Sequence, residues 1–229
     1  MLASGKRIHM ARTKDYKHFC AAARSLEVIG EKWTLLIVRD LLRGPQRFSD
    51  LLQYLGPITP KWLSARLREM EEAGIVERDA QEGRREVWYG LTEAGRDLEP
   101  VVEALVVWGV KHAMRPPLLG ESVHSDIILQ GMTIALNSGM RTWPGNPVTW
   151  AFRFGIDDAH TLSYDGRLWS THTGEDEGAD LMIETTPEAL ANFLTTPPNG
   201  RSKSPEGVAV TGDPARVDEF AAVFLAGRR

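Results

Sequence analysis

Thr59-Pro60-Lys61-Trp62-Leu63-Ser64-Ala65-Arg66-Leu67-Arg68-Glu69-Met70 is the stretch whose reading decides the fold of the first half of this chain. Thr is a good N-cap, because its hydroxyl can accept an orphan amide of the first turn. Pro suits the first helical position, where no amide is needed. The pair predicts a helix from about residue 60 to Ala73, with Gly74 at its C-cap. Leu63, Leu67 and Met70 recur at spacings of four and three, so they form one buried stripe. The opposite face carries Lys61, Ser64, Ala65 and Arg68.

On the N-terminal side, Arg47 to Leu55 reads as a short helix with Phe48, Leu51, Leu52 and Leu55 on one face. Gly56-Pro57 ends it. A short helix, a tight turn and a second capped helix make a helix-turn-helix. Further upstream, Phe19 to Leu42 is helical in pattern, with Gly30 separating two helices and Gly44-Pro45 closing the second. On the C-terminal side, Ile75-Val76-Glu77-Arg78 and Val87-Trp88-Tyr89-Gly90-Leu91 read as two strands around a turn at Gln81 to Arg85. Such a hairpin after the second helix is a wing. Thr92 caps a final helix with Leu98, Val101, Val102, Leu105, Val106 and Trp108 apolar. Lys61 and Arg68 can neutralise phosphates or fork onto guanine, and Ser64 and Ala65 allow close approach to base edges. Thr59 sits at the same helix end. Arg84 and Arg85 at the wing tip suit a phosphate or the minor groove, and Arg47 suits a backbone contact.

The bulk numbers permit this reading. The net charge is −4, which taken alone argues against a nucleic-acid partner. Up to Arg115, however, 19 Lys and Arg face 16 Asp and Glu, and after it 8 face 15. The acid lies in the second half, and the first half can present a basic face. The single cysteine, Cys20, cannot form an intrachain disulfide, as expected in a reducing compartment. No apolar run is long enough to span a membrane. Residues 1–16 read as a basic flexible tail without a secretory h-region. The expectation is a cytoplasmic protein with no membrane partner.

Arg115-Pro116-Pro117-Leu118-Leu119-Gly120 breaks the helical pattern. The expected division is a helix-turn-helix domain at 17–115, a linker at 116–121 and a second domain at 122–229. In that second half, Ile127 to Met140 reads as a helix. Strands are expected at 148–154, 161–164, 168–171, 179–184 and 208–213, with helices at 189–194 and from Pro214. The expected fold class is α+β, a winged helix-turn-helix followed by an antiparallel sheet with helices on one side.

The run Cys20…Leu26-Glu27-Val28-Ile29-Gly30-Glu31-Lys32-Trp33-Thr34-Leu35-Leu36-Ile37 resembles the HxlR family, a MarR-like branch of winged-helix regulators. So do Gly44-Pro45-Gln46-Arg47-Phe48, Ile58-Thr59-Pro60 with Leu63 to Arg68, and Tyr89-Gly90-Leu91-Thr92-Glu93-Ala94-Gly95. The resemblance implies homodimers built on the first and last helices of the domain. It also implies a double-stranded operator read by two helices about one turn apart. Some members of the family sense oxidants through a cysteine near the N-terminus. Cys20 occupies that place, with Lys17 and Arg24 nearby, but Ala21 follows it where the family often has Pro. A cysteine within an apolar helix is otherwise an inert core residue.

The second half resembles the sterol-carrier-protein family through Ala179-Asp180-Leu181-Met182-Ile183-Glu184-Thr185-Thr186-Pro187-Glu188-Ala189-Leu190 and Gly207-Val208-Ala209-Val210-Thr211-Gly212-Asp213. That resemblance implies an apolar tunnel for a lipid-like effector, with Met132, Met140, Trp143, Phe152, Phe154, Trp169, Phe193 and Phe220 as candidate lining. The alternative is that these residues fill an ordinary core.

The six histidines, His9, His18, His112, His124, His160 and His172, show no zinc-like pairing. No phosphate-cradling loop and no Gly-x-Ser-x-Gly elbow occurs. No catalytic residue, metal or cofactor is expected. Three readings compete: a ligand-responsive repressor, a redox-responsive regulator acting through Cys20, and a lipid carrier or interaction module without DNA binding.

Overall fold

The structure, a computed structural model, describes residues 15–79, 86–140, 143, 145–196 and 206–225. The chain folds as two compact units, 1–103 and 104–229.

The first unit contains α1 (Ala21–Ile29), α2 (Thr34–Leu42), β1 (Gln46–Arg47), α3 (Phe48–Leu55), α4 (Pro60–Glu72), β2 (Val76–Asp79), β3 (Trp88–Leu91) and α5 (Glu93–Arg96). It also takes in the start of α6 (Glu99–His112). Gly30 caps α1 through a bond from its amide to the Leu26 carbonyl. Thr59 caps α4 by accepting the Trp62 amide at 3.3 Å, with Pro60 in the first turn. The C-cap of α4 is Ala73 rather than Gly74, which follows it at φ +70° in the left-handed conformation that glycine favours.

Leu63, Leu67 and Met70 are buried with Ile37, Val38, Leu41, Leu51, Leu55, Ile75 and Leu91 in one core. Each such side chain contributes about 1.5–3 kcal/mol when fully removed from water. The three strands pair antiparallel in the order β1-β3-β2, with Arg47 opposite Trp88 and Val76 opposite Leu91. The expected last helix is two: α5 ends at Arg96 and α6 begins at Glu99.

The second unit contains α7 (Ser125–Asn137), β4 (Val148–Arg153), β5 (Ala159–Tyr164), β6 (Trp169–Thr173), β7 (Leu181–Thr185), α8 (Pro187–Thr195), β8 (Val208–Gly212) and α9 (Pro214–Leu225). The sheet order is β6-β5-β4-β7-β8. This sheet is mixed rather than antiparallel throughout, because β4 and β7 run parallel with Trp150 opposite Leu181. Trp150, Phe152, Leu162, Leu181, Ile183 and Val208 alternate along the strands onto one face. They meet Leu129 and Met132 of α7, Leu190 and Phe193 of α8, and Phe220 of α9 in one core. The other face carries Arg153, which donates to Glu184 at 2.7 Å and to Glu175 at 2.8 Å.

Candidate nucleic-acid interface

Five of the predicted contact residues lie on or cap α4. Lys61, Ser64 and Arg68 are exposed, Thr59 is exposed at the cap, and Ala65 is half-buried. The core stripe fixes which way they point: with Leu63, Leu67 and Met70 inward, a 3.6-residue repeat turns Lys61, Ser64, Ala65 and Arg68 outward together. The Arg68 side chain is 73% exposed, and its Nε stands 3.9 Å from Glu72. So loose a surface pair leaves the guanidinium available to a phosphate. The exposed face is polarised along the helix. Lys61 lies in the first turn, while the exposed Glu71 and Glu72 close the last. The macrodipole adds partial positive charge at the Lys61 end.

Arg47 is placed differently from the simple helix start that the sequence predicts. It is the N-cap of α3 and also the second residue of β1, so it stands at the edge of the wing sheet. Its guanidinium lies 4.8 Å from the Trp88 ring centroid and pairs with Glu86 at 2.9 Å. Arg84 and Arg85 lie outside the described residues.

Sequence reasoning passed over Trp62, which is 64% exposed on the flank of α4. The signal was present: an indole at position 62 falls off the Leu63-Leu67-Met70 stripe, so it cannot serve that core.

Cys20 is exposed and is the N-cap of α1, not a residue of its interior. Its sulfur accepts the Ala23 amide at 3.2 Å. Of the two cations expected beside it, Arg24 is bound to Glu27 at 2.9 Å and lies 3.6 Å from Asp15.

In the second unit, Met132, Phe152, Phe154, Trp169, Phe193 and Phe220 belong to the packed core, and Trp143 packs against it. Met140 is half-buried. Trp150 stands 4.7 Å from Trp169 and 4.9 Å from Phe220 between ring centroids, and Trp143 stands 5.6 Å from Trp169. Beside this aromatic cluster lies a cleft of about 230 Å³, bordered by Leu136, Asn137, Trp143, Tyr164, Arg167 and Trp169. Of the eight candidate lining residues, it brings together only Trp143 and Trp169.

Among the described residues no group of three His, Cys, Asp or Glu could hold a metal ion, and no helix is long and apolar enough to cross a membrane.

A family model described as HxlR-like helix-turn-helix matches residues 28–116. An uncharacterized HTH-type transcriptional regulator of Mycobacterium tuberculosis is 42% identical over 99 residues, which are 42% of this chain and 61% of that protein. The chain thus spans 61% of the length of the mycobacterial relatives it matches. YtcD of Bacillus subtilis, an uncharacterized HTH-type transcriptional regulator, is 36% identical over 120 residues, covering 50% of this chain and 95% of YtcD. A solved structure described as the redox regulator HypR in its oxidized form is 36% identical, covering 41% of this chain and 97% of that one, with a TM-score of 0.39. With nearly all of YtcD covered at that identity, this chain belongs to the HxlR family of helix-turn-helix transcriptional regulators, which are not enzymes.

Proposed function

We propose that this protein is a dimeric, cytoplasmic repressor of transcription that reads a double-stranded operator with α4. The observation that carries the reading is the outward face of α4, where Lys61 and Arg68 stand exposed on either side of Ser64 and Ala65. Two copies would place two such helices in successive major grooves, about one helical turn apart. Support for the second copy comes from α6, which exposes Val101, Leu105 and Trp108 along one stripe, and from Tyr16, Phe19 and Leu26 around α1.

In this reading residues 17–115 form the DNA-binding domain, 116–121 the linker and 122–229 a sterol-carrier-like effector domain. The three helices of that domain cover one sheet face, and the cleft beside Trp143 and Trp169 would hold a small apolar effector. Such an effector changes operator occupancy only if it binds the two DNA-affinity states unequally.

The test is fluorescence anisotropy on operator DNA at two salt concentrations. Lys61→Ala and Arg68→Ala should each weaken binding about tenfold and shallow the salt dependence by about one unit of slope, as expected for one lost phosphate contact. Absent or salt-independent binding by the wild type would instead favour a carrier without DNA affinity.

A second reading, control by oxidation, is supported by the exposure of Cys20 at the start of α1. Cys20→Ser should then abolish an oxidant response and leave basal DNA binding intact.

A further inference from the structure

The cleft beside Trp143 and Trp169 has rigid aromatic walls. Trp169 opens the edge strand β6, and the Asn137 side chain at the end of α7 holds it there. The Asn137 Nδ2 donates to the Trp169 carbonyl at 2.9 Å, and its Oδ1 accepts the Trp169 amide at 2.8 Å. Trp143 is pinned through its indole N–H, which donates to the Asn146 carbonyl at 2.8 Å. The two indole planes stand at 80°, and the Tyr164 ring lies 5.2 Å from that of Trp169 at 35°. Three rings in fixed and different orientations suit a flat ring compound, which can stack on one and meet the edge of another. Walls already in place also spare the ligand the cost of ordering them.

Size and polarity narrow the occupant further. At about 230 Å³ the cleft falls below the roughly 300–1,000 Å³ of drug-sized sites, so it takes one or two fused rings and not a long-chain lipid. The Asn137 amide is engaged at both its nitrogen and its oxygen by Trp169. By contrast, the Tyr164 hydroxyl and the Arg167 guanidinium, both on the wall, have no hydrogen-bond or ion-pair partner among the described residues. Each can donate to an oxygen. The charge at this mouth is balanced. Asp165 accepts the Leu168 amide at 2.8 Å and the Arg167 amide at 2.7 Å, and those two bonds hold its carboxyl below the usual carboxylate range. One ionised carboxylate beside one guanidinium leaves no surplus to select an ion. We propose that this cleft binds a small, neutral, planar aromatic compound with a carbonyl oxygen, its rings against Trp143 and Trp169 and its oxygen on the Tyr164 hydroxyl and the Arg167 guanidinium.

This assignment deepens the reading of the second unit as an effector domain and rests on that reading for the consequence of binding. The binding itself rests on the cleft alone.

The probe is 2-acetylnaphthalene, added to the full chain, with 2-ethylnaphthalene as the same rings without the oxygen. The indole N–H resonance of Trp143, assigned by Trp143→Phe, is followed by NMR. That of Trp62, assigned by Trp62→Phe, is the control in the other unit. The ketone should move the Trp143 signal, leave the Trp62 signal in place and bind about fivefold more tightly than the hydrocarbon. Tyr164→Phe keeps the ring and Arg167→Met keeps the apolar stem. Each should reduce that fivefold preference, and the two together should abolish it, with the hydrocarbon bound as before. 2-Naphthoate, 2-naphthylmethylamine and palmitate should each bind more weakly than the ketone. An unmoved Trp143 signal, an equal shift at Trp62, or a preference for the ketone that survives the double variant would overturn the site. Tighter binding of either ion, or of palmitate, would overturn the ligand class. Anisotropy on operator DNA is read separately: a ketone that fills the cleft and leaves operator affinity unchanged would refute the effector reading, while the NMR result upholds the ligand assignment.

Discussion

Thr92 joins two parts of the first unit with one hydroxyl. Its oxygen accepts the Gly95 amide at 3.1 Å, capping α5, and its proton goes to the Gly74 carbonyl at 2.6 Å, just beyond α4. Replacing Thr92 by Ala removes the cap and orphans the carbonyl, so the expected loss is about 1–2 kcal/mol. Thr92→Ser retains the hydroxyl and should lose less than half of that. Urea denaturation checks the order of the midpoints, and equal midpoints for the two variants would rule out the hydroxyl as the cause. Gly95 completes the corner. It is buried, and a Cβ there would run into the Ile75 carbonyl oxygen and press on Leu91. The motif Leu91-Thr92-Glu93-Ala94-Gly95 was legible as a helix start. The reason for its glycine was not, since it lies at Ile75, just before β2 and 20 residues earlier in the chain.

At the scale of elements, the turn after α6 is tied by Glu121. The Arg115 guanidinium donates to that carboxylate, with Nη1 at 2.9 Å from Oε2, and the Leu118 amide adds a bond at 2.8 Å. Arg115 first, and the Leu118 amide second, hold the Glu121 carboxyl down from 4.5 to about 2. A carboxyl depressed on folding contributes above its unfolded value, and that contribution disappears as pH falls through about 2. Carboxyl NMR titration should place the Glu121 midpoint near 2, and Arg115→Ala should move it back toward 4.5. An unchanged midpoint in the variant would show that the ion pair does not set it. The elements themselves were unequally legible. α4 could be read because Thr59-Pro60 supplies a start and Leu63-Leu67-Met70 a period. β1 could not, because two residues make no pattern and exist as a strand only through pairing with β3. The break between α5 and α6 did leave a sign, Pro100 in the first turn of the new helix, which the run of valines obscured. In the second unit, alternation located all five strands to within two or three residues. It could not reveal that β4 and β7 run parallel, because period two marks a strand's faces and not its neighbour. For the candidate sites the same limit applies. The outward face of α4 followed from its period, whereas the cleft at Trp143 and Trp169 depends on Asn137 of α7 meeting β6.

For the whole molecule, the question is how a chain with net charge −4 approaches DNA. A single α4 offers few cations, and phosphate contacts of that number give weak, salt-sensitive binding. Doubling the contacts on one assembly converts the second encounter into an intramolecular one, which can raise affinity by about 10²–10⁴ without any new contact. The stripe on α6 is the means of assembly proposed here: Leu105 is 49% and Trp108 is 59% exposed, too much apolar surface for a helix facing only water. Leu105→Glu with Trp108→Glu places carboxylates on that stripe while leaving the buried Val102 in the core. Sedimentation velocity should then find a monomer for the variant and a dimer for the wild type. Anisotropy should show operator affinity lower by about a hundredfold, while the salt slope falls to roughly half as the second set of phosphates is lost. A variant that remains dimeric would move the interface away from α6. A monomer that binds the operator as tightly as the wild type would mean that one copy of α4, with its wing, suffices to read DNA.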